Sequence, residues 1–160
     1  AAVHGHCVGG GVVLTAACDL RMAATGTRFS IPEVDLGIPL AWGGVPRLVR
    51  EVGPAFAKEL ILSCRPFSAE EALQLRFINR VVADDELVAE AEDFAESLAS
   101  KPTFSLLATK TQVNAVMEEI AGTGRSANDA DSLVVALHDE ESRAASQRYL
   151  ESRSRPSGNK

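Results

Sequence analysis

The spacing of apolar residues changes character near Trp42. Before it the chain reads as short β elements around a single helix. Residues 1–8 form a strand, Gly9-Gly10-Gly11 a turn and Val12 to Cys18 a buried helix. Asp19 to Ala24 and Arg28 to Ile31 are expected as strands around Thr25-Gly26-Thr27, and Pro32-Glu33 leads into a loop from Val34 to Trp42. From Gly43 the period is helical. One helix, Val45 to Val52, ends at Gly53-Pro54, and a second runs from Ala55 to Leu62. Ser68 with Glu71 three residues later fits a capping box that opens a helix to about Arg76, followed by a short strand, Phe77 to Val82. Asp84 or Asp85 is expected to cap a helix from Glu86 to Ser100, which Lys101-Pro102 breaks. Thr103 to Ile120 forms the next helix, Ala121 to Ser126 a linker, Asp129 to Arg153 a final helix, and residues 154–160 a frayed tail. The opening Ala1-Ala2-Val3 reads as strand interior, which suggests a fragment without its N-terminal part.

At 160 residues, 46% hydrophobic and 24% charged, the chain is large enough for one domain with a real core. Sixteen Lys and Arg against 22 Asp and Glu give a net charge of −6, so neither nucleic acid nor an anionic membrane is an expected partner. Cys7, Cys18 and Cys64 form no C-x-x-C pair, which favours a reducing, cytoplasmic setting over a disulfide framework. Cys18 and Cys64 lie among apolar residues and are expected in the core. No apolar run reaches the roughly 18 to 20 residues of a spanning helix.

Three glycines between a strand and a helix let the backbone approach a ligand closely and leave N–H groups free at the helix start. Such donors suit a phosphate or a developing oxyanion. The turn lacks the last glycine of G-x-G-x-x-G, no Gly-Lys-Ser/Thr follows, and there is no G-x-S-x-G, so nucleotide-binding and serine hydrolase readings fail. His4, His6 and Cys7 form no convergent set with a second His or Cys cluster, so no metal is expected.

Ala2 to Gly11, Cys18-Asp19-Leu20-Arg21-Met22-Ala23, Phe29 to Gly37 and Gly43-Gly44-Val45-Pro46-Arg47-Leu48 closely resemble the crotonase (enoyl-CoA hydratase/isomerase) family, in the same order. The resemblance continues through residues 68–82 and more loosely to Arg153. It implies an α/β fold: the C-terminal part of a ββα spiral core over residues 1–82, with a helical region over 83–153 that builds homotrimers or hexamers. It implies an acyl-CoA substrate and no resident cofactor, coenzyme A being part of the substrate. The thioester oxygen would sit between two backbone N–H donors, one from Gly10 and one from the family's N-terminal half, while Glu33 carries the proton. Hydratases of the family usually have a second Glu where this chain has Val13, which leans the chemistry toward isomerisation by one carboxylate or toward divergent chemistry. The family's usual Gly before Phe77 is Arg76, in a position that favours left-handed backbone. Trp42 and Phe29 either line an acyl pocket or pack in the core. Arg47 and Arg50 share a helix face that meets solvent or, less readily, a CoA phosphate. The competing reading is a non-catalytic remnant or pseudoenzyme that serves as an oligomerisation piece.

Overall fold

The computed structural model describes residues 1–154. Its first half winds so that successive passes of the chain lay one strand in each of two three-stranded sheets. β1 (Ala2–Val3), β3 (Met22–Ala24) and β6 (Arg80–Val82) form a parallel sheet in the order β1-β3-β6. β2 (His6–Val8), β4 (Arg28–Ser30) and β5 (Phe67–Ser68) form the other, with β2 parallel and β5 antiparallel to β4.

The stretch expected as one strand over residues 1–8 is therefore two strands in different sheets. Gly5 makes the turn at φ 65°, where a side chain would add strain, and its carbonyl accepts the Arg28 N–H at 2.8 Å. The second pass is pinned by Thr27, fully buried, whose hydroxyl donates to the Val3 carbonyl at 3.0 Å.

The helices are α1 (Gly10–Ala16), α2 (Gly44–Ser63), α3 (Ala69–Gln74), α4 (Leu87–Ala99), α5 (Thr103–Ala121), α6 (Asp129–His138) and α7 (Glu140–Ser154). The two helices expected between Val45 and Leu62 are a single element kinked at Gly53, where φ is 76° and ψ 165°, just before Pro54. The expected linker is largely a 3₁₀ turn, Thr123–Ser126. The expected final helix is broken at Asp139, whose extended backbone ends α6 and whose carboxylate accepts the Ser142 N–H at 2.8 Å to start α7. That bond holds the Asp139 carboxyl below its ordinary pKa. Asp84 is not a helix cap: it accepts the Gly26 N–H at 3.1 Å, and α4 opens after Glu86 with no side-chain cap. The expected strand from Phe77 begins only at Arg80, because Phe77 and Ile78 turn into the core. Ser154 closes α7, and the rest of the expected tail, residues 155–160, lies outside the described residues.

The core lies between the sheets, α1, α2 and α3, around Val12, Ile31, Leu48 and Leu60. Phe29 stacks on Phe67 at 5.2 Å and meets Phe77 edge-on at 5.8 Å, which ties β4, β5 and the end of α3 together. α4 covers the first sheet by placing Leu87 beside Met22 and Ala24. Among the described residues no helix is long and apolar enough to cross a membrane.

α3 begins as expected, with the Ser68 hydroxyl accepting the Glu71 N–H at 3.1 Å, although the Glu71 carboxylate pairs with Arg65. It ends in a Schellman arrangement: the Phe77 N–H reaches the Ala72 carbonyl at 2.8 Å and the Arg76 N–H the Leu73 carbonyl at 3.0 Å. Arg76 is left-handed there, at φ 64°. A left-handed non-glycine residue costs about 1–2 kcal/mol, and the added freedom of glycine in the unfolded chain offsets about half of that. Arg76→Gly is therefore expected to stabilise the fold by about 0.5–1 kcal/mol, read as a rise of a few degrees in thermal midpoint. A fall in midpoint contradicts the strain argument.

Candidate active site

Parallel pairing of β2 with β4 sets Val8 opposite Ser30, so the glycine turn after β2 and Pro32-Glu33 after β4 leave the same sheet side by side. Gly9 holds φ 52° and ψ −112°, which glycine tolerates best, and its N–H donates to the Ser30 carbonyl at 2.9 Å. The Gly9 carbonyl takes the Val12 and Val13 N–H groups at 2.9 and 3.2 Å. α1 thus starts with no side-chain cap, and the Gly10 N–H has no acceptor among the described residues.

Two side chains close on this turn. A β-carbon on Gly9 would stand 2.5 Å from Oε1 of Glu33, and one on Gly10 would stand 2.8 Å from Cζ3 of Trp42. Both close approaches therefore depend on glycine. Burial raises the Glu33 carboxyl above its ordinary 4.5, against a smaller opposing effect of a hydrogen bond from its own backbone N–H. Its Oε2 is buried and has no hydrogen-bond partner among the described residues. A half-buried carboxylate with a free oxygen and a raised pKa is suited to accepting a proton from a bound molecule.

The loop after Glu33 is wound on itself, with Leu36 N–H to the Pro32 carbonyl at 3.0 Å and Ile38 N–H to the Glu33 carbonyl at 2.9 Å. α7 seats on this loop. The Ser146 hydroxyl donates to the Leu36 carbonyl, and a β-carbon on Gly37 would stand 2.2 Å from the Ser142 carbonyl oxygen.

The structure thus brings Gly10, Glu33 and Trp42 together and sets Phe29 apart. Trp42 is 72% exposed, with its indole over the turn, whereas Phe29 is fully buried in the aromatic cluster. Val13 is buried beside Leu40 and the backbone of Gly44. Arg47 and Arg50 are not a solvated face. Arg47 donates to the Trp42 and Gly43 carbonyls, both at 3.2 Å, and Arg50 reaches the Ala121 carbonyl at 2.8 Å and pairs with Glu118 at 2.6 Å. Cys64 is buried as expected, but Cys18 is exposed at the end of α1. His4 and His6 are exposed, and no group of three or more His, Cys, Asp or Glu among the described residues is arranged to hold a metal.

Sequence reasoning did not find Asp129, whose carboxylate accepts the Gly43 N–H at 2.9 Å across 86 residues. Only its place at a helix start marked it.

Comparison with known proteins finds relatives of this chain. The family model described as enoyl-CoA hydratase/isomerase matches residues 1–159. A crotonyl-CoA hydratase of Syntrophomonas wolfei is 39% identical over 118 residues, 74% of this chain and 45% of that protein. A short-chain-enoyl-CoA hydratase of Clostridioides difficile is 39% identical over 124 residues, 78% of this chain and 79% of that one. The crystal structure of a carnitinyl-CoA hydratase from Mycobacterium avium superposes with a TM-score of 0.84 at 29% identity, over 94% of this chain and 59% of that one. The chain spans under half the length of the first curated relatives it matches, 45% in each of two hydratases.

Proposed function

Because this chain belongs to the enoyl-CoA hydratase/isomerase family, we propose that it forms the proton-transfer side of a site for acyl-CoA thioesters, with Gly10 and Glu33 as the reacting groups. The observation that carries this reading is the Glu33 carboxylate, half-buried and with one oxygen unpartnered, set against the turn whose Gly10 N–H is free.

The chemistry follows from where charge develops. Glu33 takes a proton from the carbon next to the thioester carbonyl, and the electron pair left behind moves onto the carbonyl oxygen as an enolate. The Gly10 N–H donates to that oxygen, and its fixed direction favours the charged state over the neutral thioester. A second donor is assigned by the family resemblance to the half of the fold that precedes these residues in the relatives. Loss of one donor of such a pair slows reaction by about 10² to 10³. From the enolate, Glu33 returns the proton at a more distant carbon, which shifts the double bond. Trp42 walls the turn and limits water at the developing charge.

Hydration is served best by a second carboxylate to hold water, and Val13 leaves that position apolar. We therefore propose a double-bond isomerase in preference to an efficient hydratase. The test uses the chain joined to an upstream half that carries the second donor, offered a 3-enoyl-CoA and a 2-enoyl-CoA. Migration of the double bond faster than water addition agrees with the proposal. Faster water addition contradicts it, and neither reaction would leave the oligomerisation piece as the remaining reading. Assembly into trimers or hexamers is also proposed, supported by exposed apolar residues along α5 such as Phe104, Leu107 and Ile120, at 83%, 60% and 70% exposure.

A further inference from the structure

We infer that Asp129, in the first turn of α6, is a positioning residue for the glycine turn and acts on it through Gly43 and Trp42. Its consequence for catalysis rests on the acyl-CoA reading above; its geometry does not.

Trp42 and Gly43 are consecutive left-handed residues, at φ 58° and 67°. Tryptophan has no intrinsic preference for that region, and such backbone persists where the surroundings fix it. Packing does not fix it here, because the Trp42 side chain is largely exposed. Behind the loop lies a cavity of about 250 Å³, lined by Trp42, Gly43, Asp129, Ala130 and Leu133 among others, so the loop is not packed tightly against the helical region there.

Polar bonds hold the pair instead. Arg47 Nη1 donates to both the Trp42 and the Gly43 carbonyl, and the Gly44 N–H closes back onto the Ala41 carbonyl at 3.0 Å. These partners are local. Asp129 is not, for it lies in the C-terminal helical region and accepts the Gly43 N–H at 2.9 Å. With Gly43 fastened on its N–H side by Asp129 and on its carbonyl side by Arg47, the peptide plane after Trp42 is set, and with it the direction in which the indole leaves the chain. That direction brings Cζ3 over Gly10. The helical region thus reaches the oxyanion donor through one carboxylate.

Trp42 is the single tryptophan of the chain, so the long-wavelength edge of the near-ultraviolet circular dichroism spectrum, where only indole absorbs, reports its fixation alone. The full chain, without ligand, is compared with Asp129→Ala and Asp129→Asn, and far-ultraviolet spectra are recorded alongside. Asn keeps a carbonyl oxygen that accepts from Gly43, and Ala does not. Loss of the indole band in Asp129→Ala with retention in Asp129→Asn is expected. Retention in both variants, or loss in both, overturns the inference. If Asp129→Ala loses helix, Asp129→Asn decides: a kept band supports the role and a lost band refutes it. No acyl-CoA is present, so failure of the acyl-CoA reading leaves this result unaffected.

Discussion

Glu33→Gln is expected to lower turnover of an acyl-CoA substrate by about 10² to 10⁴, in the protein that carries both N–H donors, while acyl-CoA affinity stays close to that of the parent. Gln keeps the shape of the side chain against Gly9 and cannot take up the proton. The same change carries a signature in stability. Burial raises the Glu33 carboxyl, so the folded state holds the proton more tightly than the unfolded one. The contribution of this group to stability is complete below its ordinary value of 4.5 and is lost as pH rises through the raised value. At neutral pH the ionised, partly desolvated carboxylate opposes folding. Glu33→Gln should then melt higher than the parent at neutral pH, and the difference should vanish in acid below 4.5. Undiminished turnover would remove Glu33 from the mechanism. A parent that melts higher at neutral pH would show that the carboxylate is stabilised by partners after all.

Gly9→Ala is expected to damage both fold and site. The backbone at φ 52° and ψ −112° is outside the range of most L residues, and the new methyl would stand 2.5 Å from Oε1 of Glu33. Strain of this kind costs about 1–3 kcal/mol, which for a domain of this size lowers the thermal midpoint by roughly 3–10 °C. The carboxylate must also swing off the turn, so turnover should fall by more than the stability loss explains, under conditions where the variant is fully folded. A variant that melts and turns over like the parent would mean that Glu33 does not lie on Gly9. The residue beside it supplies a contrast: a β-carbon on Gly10 meets the end of an exposed indole, which can yield.

Local rules made much of this legible in advance. The Ser68 to Glu71 spacing and the left-handed demand at Arg76 act within a few residues and are found where the letters put them, whereas the turn expected over all three glycines is confined to Gly9: Gly10 and Gly11 already open α1, which ends at Ala16 rather than Cys18. The residues that escaped are those settled by distant partners. The break at Asp139 carries neither Gly nor Pro, and the segment after it seats on Leu36 and Gly37, more than 100 residues earlier. Gly5 looked like one more residue of a strand because the sheet change it makes is visible only once β1 and β2 have found β3 and β4. Trp42 and Phe29 were equivalent as large aromatics near the motifs. Phe29 went to the core because β4 points it at Phe67, and Trp42 went to the turn because the left-handed loop aims it there. Arg47 and Arg50 share a face as their spacing requires, but the carbonyls of residues 42, 43 and 121 occupy that face. Asp84 was a good cap by type and was claimed by Gly26, 58 residues away.

The free Gly10 N–H and the Glu33 carboxylate are proposed to frame the carbonyl of an acyl-CoA. The most direct test of that proposal is a titration with acetoacetyl-CoA of the chain joined to an upstream half taken from a relative, followed by the ultraviolet band of the bound enolate. That band requires both binding and an oxyanion site that stabilises the charge. A band that rises and saturates with ligand is expected. A correctly folded protein that gives no such band would contradict the proposal.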